Sequence, residues 1–352
     1  MNTTDTFDFL VFIGRFQPFH LGHLQVVREG LRQAGHLIVL IGSAHAAPTI
    51  RNPWSHVERE AMLRGALSED ENRRLLVAPL MDVLYNDEAW VRNVQATVDG
   101  LVTAHHRQPH RRPRIGLIGH SKDHTAYYLK LFPQWGSVAV ANYQGINATA
   151  IREAYFEADA AGKPLAESLR RLLPENVQQA LQDFRKSDAY REICEEQAFV
   201  ARYRAGWANA PYPPTFVTVD AVVVQSGHVL LVERRARPGK GQLALPGGFV
   251  RQHERLVEAC LRELREETRL KIPAPVLRGH IKAQRVFDDP NRSSRGRTFT
   301  HAFYIELEPD KALPRVKGGD DARHALWVPL AELDPGRLYE DHYFIIQEMI
   351  GA

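Results

Sequence analysis

The fold of the first half of this chain is indicated by one stretch, Gly14-Arg15-Phe16-Gln17-Pro18-Phe19-His20-Leu21-Gly22-His23. The run before it, residues 8–14, is apolar and β-prone, whereas Leu21–Gln33 has the apolar spacing of a helix. A second β-prone run follows at residues 37–41. This strand–helix–strand order predicts a parallel α/β unit, in which ligands bind at the carboxyl edge of the sheet.

The junction between the first strand and the helix suits a phosphate group. Backbone N–H groups at a helix start are unpaired and lie at the positive end of the helix dipole. His20 and His23 are one helical turn apart, so both can donate to one anion, and Gly14 and Gly22 allow a ligand close to the backbone. The alternative is a turn that merely contains two histidines, against which the flanking glycines and proline argue.

The quoted stretch resembles the Gly-x-Phe-x-Pro-x-His-x-Gly-His signature of the nucleotidyltransferase superfamily. The second signature of that superfamily, Ile-Ser-x-Thr-x-x-Arg, resembles residues 146–152, where Asn147 replaces the serine. We expect Thr149 to cap a helix whose first turn carries Arg152, which would aim further donors at phosphates. The resemblance implies a Rossmann-like nucleotidyltransferase domain with a parallel sheet.

The acceptor of the nucleotidyl group is suggested by residues 85–91, Tyr-Asn-Asp-Glu-Ala-Trp-Val. They resemble a segment of archaeal-type nicotinamide mononucleotide adenylyltransferases, in which a tryptophan stacks on the nicotinamide ring. Stacking of a cationic ring on Trp90 is favourable, although a core role for Trp90 is an open alternative. The resemblance implies that ATP and nicotinamide mononucleotide (NMN) are substrates and that NAD is the product.

The same resemblance assigns roles to individual residues. It implies that His20, His23 and Arg152 are catalytic, with His23 nearest the reacting centre. It implies substrate contacts from Gly14, Arg15, Phe16, Asn86, Trp90, Lys122, Asp123 and Thr149. No strong base is needed, because the phosphate of NMN is mostly dianionic at neutral pH and can attack the α-phosphate of ATP directly, with Mg²⁺ bridging the triphosphate.

The middle of the chain predicts a domain boundary. Residues 163–208 have a mainly helical pattern, which Pro211, Pro213 and Pro214 interrupt. Strand-like runs follow at residues 215–224 and 229–233. We therefore predict a nucleotidyltransferase domain over residues 1–186, a helical connector and Pro-rich linker over 187–211, and a second domain over 212–352.

The second domain carries clustered carboxylates. Gly248 and Glu254 are followed by residues 262–270, Arg-Glu-Leu-Arg-Glu-Glu-Thr-Arg-Leu. On a helix, Glu263, Glu266 and Glu267 can point into one pocket, where they would repel one another unless a cation lies among them. Mg²⁺ and Mn²⁺ prefer such oxygen ligands. The alternative is an exposed helix with ion pairs, but it leaves the preceding Pro-Gly-Gly, residues 246–248, unexplained.

This pattern resembles the Nudix box, which implies an α/β/α Nudix sandwich with a mixed sheet. By resemblance, Gly248, Glu263, Glu266 and Glu267 hold metal, and Glu263 is also a catalytic candidate that orients water. Arg269 stands where the box has glycine, so we expect a left-handed, mildly strained residue after the helix. Glu254 is a weaker candidate ligand. Asp320 and Asp321 follow Gly318-Gly319 and are either a base-bearing loop or a plain acidic turn.

The substrate of the second domain is suggested by residues 284–303, which resemble a segment of Nudix domains fused to these adenylyltransferases. The resemblance implies hydrolysis of ADP-ribose to AMP and ribose 5-phosphate. Arg297 lies in this segment, and two interpretations of it stay open, a bidentate contact to the diphosphate and a surface charge in a hairpin.

Composition excludes several other classes. A net charge of +3 over 352 residues predicts no nucleic-acid partner, and no apolar run is long enough to span a membrane. The two cysteines and the polar first residues predict a reduced, cytoplasmic protein without a signal peptide. Homo-oligomerisation is left open.

The rival hypotheses are a Nudix sensor or regulator of ADP-ribose or NAD, and a first domain that adenylylates another phosphate acceptor. Against a DNA-binding regulator, only about 25 residues follow the Trp-Val-Pro at 327–329, which we expect to be too few for a DNA-reading domain.

Overall fold

A computed structural model describes residues 6–108, 110–120, 131–141, 145–156 and 165–351. The chain divides into two compact units, Met1–Cys194 and Glu195–Ala352. The division falls inside the segment 187–211 that we predicted as a connector. Lys122 and Asp123, two of the predicted substrate contacts, lie outside the described residues.

The first unit is a parallel sheet with helices between its strands. Its strands are β1 (Phe7–Gly14), β2 (Ala34–Ile41), β3 (Leu75–Pro79), β4 (Ile115–His120) and β5 (Gly136–Val140). Its helices are α1 (Leu21–Gln33), α2 (His56–Gly65), α3 (Glu69–Arg73), α4 (Asp87–His105), α5 (Ala148–Tyr155), α6 (Glu167–Arg170) and α7 (Glu175–Phe184). Helix α8 (Asp188–Ala205) begins in this unit and ends in the second.

The strand order of this sheet is β3-β2-β1-β4-β5, and all four pairings are parallel. The order reverses at β1, where the chain goes first to β2 on one side and later to β4 on the other. In such sheets the crevice outside the carboxyl ends of the strands at the reversal is the usual ligand site. The residues that follow β1, from Arg15 to His20, lie at that edge, as the predicted Rossmann-like fold requires.

Two apolar layers enclose the sheet. One contains Leu10, Phe12, Val39 and Ile41 together with the buried face of α1, and the other contains Val11, Ile38 and Leu40 together with α4. Strands buried on both faces are typical of parallel sheets between helices. The rigid double-sided core fixes the ends of β1 and β2, from which the candidate site extends.

The second unit is built on a seven-stranded mixed sheet. Its strands are β6 (Thr215–Gln225), β7 (His228–Arg234), β8 (Leu243–Ala244), β9 (Gly247–Phe249), β10 (Ile281–Phe287), β11 (Arg297–Glu306) and β12 (Ala322–Pro329). Its further helices are α9 (Leu256–Thr268), α10 (Ala274–Gly279) and α11 (His342–Ile350). The main path is β10-β11-β6-β7-β12, with β8 on β7 and β9 on β6; β6 and β11 are parallel and the other pairs are antiparallel.

Helix α9 packs on this sheet with one face. Its buried apolar residues, Ala259, Cys260, Leu261 and Leu264, belong to one cluster with β6, β7 and β11. The short strand β9 pairs with β6 just before the helix and brings Gly248 under it. Among the described residues, no helix is both long and apolar enough to cross a bilayer.

Candidate active sites

The two histidines at the start of α1 hold each other. His20 is the N-cap, and its Nδ1 accepts from the backbone N–H of His23 at 3.3 Å, while Nδ1 of His23 accepts from the backbone N–H of His20 at 3.3 Å. The rings stack with 3.6 Å between their centroids. This is a capping box built from two imidazoles instead of a hydroxyl and a carboxylate.

The capping box fixes the tautomer of both rings. A backbone N–H can only donate, so each Nδ1 is the unprotonated nitrogen and each neutral ring carries its proton on Nε2. The Nε2–H groups of His20 and His23 are therefore the hydrogen-bond donors that the pair offers. Gly22 permits the arrangement, because a Cβ there would lie 3.1 Å from ring atoms of His20.

The expectation that the helix-start amides are unpaired is wrong for two of them. The N–H of Leu21 donates to the carbonyl of Leu172 at 3.0 Å, and the N–H of His23 is taken by His20. The segment after α6 thus satisfies the first donor of α1. Donors for an anion at this edge come from side chains more than from the helix terminus.

Phe16, a predicted substrate contact, has its side chain in the core. Its side chain is 2% exposed, and its ring contacts Phe12, Phe19 and His23, the last with 4.9 Å between centroids. Its backbone is left-handed, with φ of 53°. Gly14 is required by this ring, since a Cβ at Gly14 would lie 2.8 Å from Cζ of Phe16. Phe16 and Gly14 therefore support His23 from beneath.

Arg152 joins the edge from the distant helix α5. It is 5% exposed; one Nη donates to the carbonyl of Gln17 at 2.5 Å and the other to Oγ1 of Thr149 at 3.1 Å. Burial, and next the charges of Arg15 and Arg51, lower the pKa of Arg152 to about 10. Three guanidinium groups close enough to repel one another form an electropositive site that favours a polyanion.

The cap of α5 differs from our prediction. Asn147 is the N-cap, and its side chain accepts from the N–H of Thr149 at 2.8 Å. Thr149 lies inside the first turn, and Arg152 lies beyond it. Asparagine is a stronger N-cap than threonine, which agrees with a cap at Asn147.

Two further side chains, Arg59 and Asp82, organise this edge. Arg59, in a segment that resembles the nucleotide-site lining of the family, is 1% exposed and donates to the carbonyls of Arg15, Gly42, Ser43 and Ser55 at 2.7–3.1 Å. Asp82, just after β3, accepts from the backbone N–H of Ser43 at 3.1 Å and from its hydroxyl. A polar residue directly after a predicted strand could have indicated Asp82.

Trp90 and Asn86 lie at the start of α4. Asn86 is the N-cap, and its side chain accepts from the N–H of Ala89 at 3.0 Å. Trp90 is half-buried, packs against the apolar layer around α4, and has its ring 6.2 Å from that of Phe132. One part of the indole is thus packed and another part is accessible, so the structure leaves room for both interpretations of Trp90.

In the second unit, Arg262 is the centre of the carboxylate cluster on α9. It donates to both oxygens of Glu254 at 2.7 and 2.9 Å, to Glu263 at 2.7 Å and to Glu266 at 3.1 Å. These hydrogen bonds, with Glu254 first, raise the pKa of Arg262 and lower that of Glu254. Glu254 is therefore fully engaged by Arg262, which argues against it as a metal ligand.

Glu263 and Glu267 are the carboxylates whose ionised form is disfavoured by burial. Burial raises the pKa of Glu263, and it raises the pKa of Glu267, which is 8% exposed, to about 8. Glu267 accepts from the N–H of Gly247 at 3.0 Å. A Cβ at Gly248 would lie 2.6 Å from Oε1 of Glu263, so only glycine lets the backbone come this close to the carboxylate.

This donor set fits a hard divalent cation. Within the part of the chain that the structure describes, no three His, Cys, Asp or Glu side chains are arranged to hold a metal ion as they stand, because Glu263 and Glu266 both face Arg262. Carboxylates whose pKa is raised by burial nevertheless gain most from a positive charge beside them. Oxygen donors from Glu263, Glu266, Glu267 and the carbonyl of Gly248 suit Mg²⁺ or Mn²⁺.

The end of α9 confirms the expected left-handed residue. Arg269 has φ of 53° and ψ of 25°, and its N–H donates to the carbonyl of Arg265. The loop after β11 closes on this end: the N–H of Lys317 donates to Thr268 and that of Gly319 to Glu267, at 2.9 and 3.0 Å. This places the adjoining acidic pair, residues 320–321, beside the cluster, where both raise carboxylate pKa values.

Arg297 donates to the carbonyl of Asp288 at 2.7 Å, and its guanidinium covers the ring of Phe299, 4.6 Å from the centroid. It does not line the cavity beside the carboxylates, which favours the interpretation of Arg297 as a surface charge. Arg292 and Arg295 from the same segment do line that cavity.

A buried ion pair supports the cavity wall opposite α9. Arg292 donates to both oxygens of Asp341 at 2.9 and 3.0 Å and lies 3.9 Å from Asp220. Both Arg292 and Asp341 are almost fully buried. His342, the first residue of α11, accepts on Nδ1 from the N–H of Leu245 at 2.9 Å. These residues carry no signal in the sequence, because their partners are about 50 to 100 positions away in the chain.

The cavity itself has a volume of about 420 Å³, within the usual range of small-molecule sites. All its lining residues belong to the second unit. Its acidic lining residues are Asp220, Glu263, Glu266, Glu267, Asp320, Asp321 and Glu340, and its basic ones are Arg234, Arg237, Arg251, Arg262, Arg292 and Arg295. A cavity lined by both acidic and basic side chains suits a metal-bound diphosphate.

Comparison with known proteins agrees with this division. Residues 11–154 match the cytidylyltransferase-like family model and residues 214–349 match the NUDIX domain model. A crystal structure of a bifunctional NMN adenylyltransferase/ADP ribose pyrophosphatase from Francisella tularensis, complexed with AMP and a Mn ion, is 32% identical. The match covers 98% of this chain and 99% of that chain, with a TM-score of 0.87.

Two curated relatives each match one part of the chain. The nicotinamide/nicotinic acid mononucleotide adenylyltransferase of Acinetobacter baylyi is 38% identical over 188 residues, which are 53% of this chain and 92% of the relative. The ADP-ribose pyrophosphatase of Methanocaldococcus jannaschii is 35% identical over 132 residues, which are 38% of this chain and 71% of the relative.

Proposed function

The chain belongs to the family of bifunctional NMN adenylyltransferases/ADP-ribose pyrophosphatases, and from this premise we propose that it catalyses two reactions of NAD metabolism. The first unit transfers the adenylyl group of ATP to NMN, which gives NAD and pyrophosphate. The second unit hydrolyses ADP-ribose to AMP and ribose 5-phosphate.

The observation that carries the proposal is the presence of both sites in one chain. The histidine pair and Arg152 lie at the carboxyl edge of the parallel sheet, and the carboxylate cavity lies in the second unit. A full-length relative of the same two-unit architecture supports both assignments together. No observation favours a regulator, or a phosphate acceptor other than NMN.

In the first reaction, the protein positions the two substrates and neutralises the charge of their phosphates. A phosphate oxygen of NMN attacks the α-phosphorus of ATP, the new P–O bond forms, and the bond to the β-phosphate breaks, so that pyrophosphate leaves. No proton has to be removed from the dianionic nucleophile. We assign the Nε2–H groups of His20 and His23 and the guanidinium of Arg152 to the charge that moves onto the leaving group.

In the second reaction, α9 supplies the charged wall. Glu263, Glu266, Glu267 and the carbonyl of Gly248 would hold Mg²⁺, or Mn²⁺, which when bound lowers the pKa of water and neutralises the diphosphate. Water attacks one phosphorus, the bridging P–O bond breaks, and the water proton leaves for a base or solvent. Arg262 keeps Glu263 and Glu266 in place and is a positioning residue.

The test is a product assay with the full chain and Mg²⁺. One reaction contains NMN and ATP, the other contains ADP-ribose, and products are separated chromatographically. We expect NAD and pyrophosphate from the first, and AMP and ribose 5-phosphate from the second. Absence of NAD would overturn the acceptor assignment, and equal cleavage of unrelated nucleoside diphosphate sugars would overturn the ADP-ribose assignment.

A further inference from the structure

The Nudix cavity has a wall that does not come from the Nudix sheet or from α9. Phe199 and Tyr203, in the second half of α8, line the same cavity as the carboxylates and arginines. Phe249, from the end of β9, lines it beside them. The sequence predicted this part of α8 only as a connector, yet it places two aromatic rings at a charged site.

Two of these aromatic rings are held by a shared neighbour. Phe216, on β6, contacts Tyr203 and Phe249 edge-on, with centroids 5.9 and 5.8 Å apart. Phe249 is 39% exposed, and Phe199 and Tyr203 are half-buried. Trp207 also contacts Phe216, at 5.5 Å, but does not line the cavity. The wall thus presents accessible ring surface.

A second observation at the same wall indicates a ligand. The guanidinium of Arg295 covers Phe249, 4.9 Å from the ring centroid, and its Nε is buried without a hydrogen-bond partner. Buried donors in proteins are usually paired, so an unpaired one beside a cavity suggests a partner supplied by the ligand.

The cavity is lined by charged residues and by aromatic residues, and a nucleoside diphosphate has a charged diphosphate and a planar base. The acidic and basic side chains suit the metal-bound diphosphate, and they offer no flat apolar surface. Accessible aromatic rings bind planar bases by stacking, whereas a ribose, which carries several hydroxyl groups, gains little from them. Of the two halves of ADP-ribose, only the adenosine half carries such a base.

We propose that Phe199 and Tyr203 of α8, together with Phe249, form the base-binding subsite of the second unit. The subsite takes the purine of a nucleoside diphosphate and places its diphosphate between α9 and the arginines. This inference rests on the proposed hydrolase function and extends it, because it makes α8 a specificity element and sets the direction in which the substrate lies.

The test compares Phe199→Ala and Tyr203→Ala with the matched control Trp207→Ala in the full chain. The control removes an aromatic side chain from the same cluster without touching the cavity. For each variant, kcat and KM for ADP-ribose are measured, and AMP and ribose 5-phosphate are titrated by calorimetry as probes with and without the base. Far-UV circular dichroism and urea unfolding of each variant report that the second unit is folded.

We expect each cavity substitution to raise KM on the order of tenfold with kcat nearly unchanged, since one base stacks on one wall. AMP binding should weaken by a similar factor, ribose 5-phosphate binding should not change, and Tyr203→Phe should behave as wild type. Unchanged KM and AMP affinity, or an equal loss in Trp207→Ala, would overturn the proposal. So would a change in oligomeric state alone, which would mean that a second copy covers the wall.

Failure of the hydrolase function is distinguishable from failure of the subsite. If the wild-type chain does not cleave ADP-ribose, the AMP titration still tests the base-binding subsite. Binding of AMP in the first unit is common to all variants, so a difference between wild type and Phe199→Ala reports on the second unit. Weaker AMP binding would then support the subsite without hydrolysis, and no difference would reject it.

Discussion

His20 has two separable roles, as helix cap and as donor. Its Nδ1 accepts from the backbone of His23, which stabilises α1, while its Nε2–H is the donor that we assign to phosphate. Asparagine is an equally good N-cap, and its amide donors lie at the position of the imidazole Cδ2, so it has no donor at the position of Nε2. A variant that keeps the cap and loses the donor can therefore tell the two roles apart.

We predict that His20→Asn leaves the thermal midpoint near the wild-type value and lowers kcat for NAD synthesis about a hundredfold, a usual loss for one charge-stabilising donor. His20→Ala should lose activity and also about 1 kcal/mol of stability, since the cap is gone. Differential scanning calorimetry and an NAD assay check both. Full activity in His20→Asn would leave His20 with the capping role alone.

Arg269 stores local strain at the end of α9. Its left-handed backbone disfavours any residue with a Cβ, and the family pattern has glycine there. We predict that Arg269→Gly raises the free energy of unfolding of the second unit by about 0.5–1 kcal/mol. Arg265→Gly, one turn earlier and right-handed, should lower it by about 1 kcal/mol. Urea unfolding of both variants checks the opposite signs.

At the scale of elements, periodicity in the sequence predicted the bounds of a helix correctly where neighbouring residues determine where it begins and ends. Helix α1 has the predicted bounds, Leu21–Gln33, because its apolar face and its capping residues are all local. The cap of α5 was assigned to Thr149 and is Asn147, because two candidates lie within three residues and tertiary contacts decide between them. Thr149 is drawn instead to Arg152, whose other partner, Gln17, is 135 positions away.

Helix α11 is joined to the sheet through a histidine that must be neutral. His342 accepts from the N–H of Leu245. Burial lowers its pKa to about 3, Asp341 opposes this shift, and the charges of Arg292, Arg234 and Arg295 add to it. The folded chain therefore binds this proton less readily than the unfolded chain. The stability that depends on neutral His342 is present above pH ~6.5 and is lost as the pH falls from there towards 3.

We predict that His342→Asn, whose amide oxygen can replace Nδ1 as the acceptor, removes this dependence. The free energy of unfolding of wild type should fall between pH 6.5 and 4 more steeply than that of His342→Asn, by up to about 1.4 kcal/mol per pH unit. Urea unfolding at a series of pH values gives the difference, in which all other titrating groups cancel. Parallel curves would show that His342 does not titrate on unfolding.

At the scale of the whole molecule, the sequence predicted which chemistry each half carries but not the walls that complete it. The motif carboxylates of α9 could be identified by spacing alone. Arg292, Arg295 and the aromatic residues of α8 could not, because they meet the motif only after the strands β6 and β11 have paired. Arg297 shows the same limit: within one segment, the sequence does not tell which arginine lines the cavity.

A divalent cation should stabilise the second unit selectively. Burial raises the pKa values of Glu263 and Glu267, so positive charge beside them lowers the free energy of the folded state. We predict that Mn²⁺ or Mg²⁺ raises the melting temperature of the second unit and that a chelator reverses the shift. In Glu267→Gln the shift should be much smaller. An equal shift in that variant would place the cation elsewhere.

The last expectation concerns the independence of the two reactions. Each predicted site lies wholly within one compact unit, so loss of one set of groups should leave the other intact. We predict that Glu267→Gln lowers ADP-ribose hydrolysis at least about a hundredfold and leaves NAD synthesis within about twofold, whereas His23→Ala does the reverse. An equimolar mixture of the two variants should restore both activities to about half because each chain supplies one site. If Glu267→Gln also slowed NAD synthesis while the first unit stayed folded, the two sites would be coupled, and the two-unit division would not describe the enzyme's function.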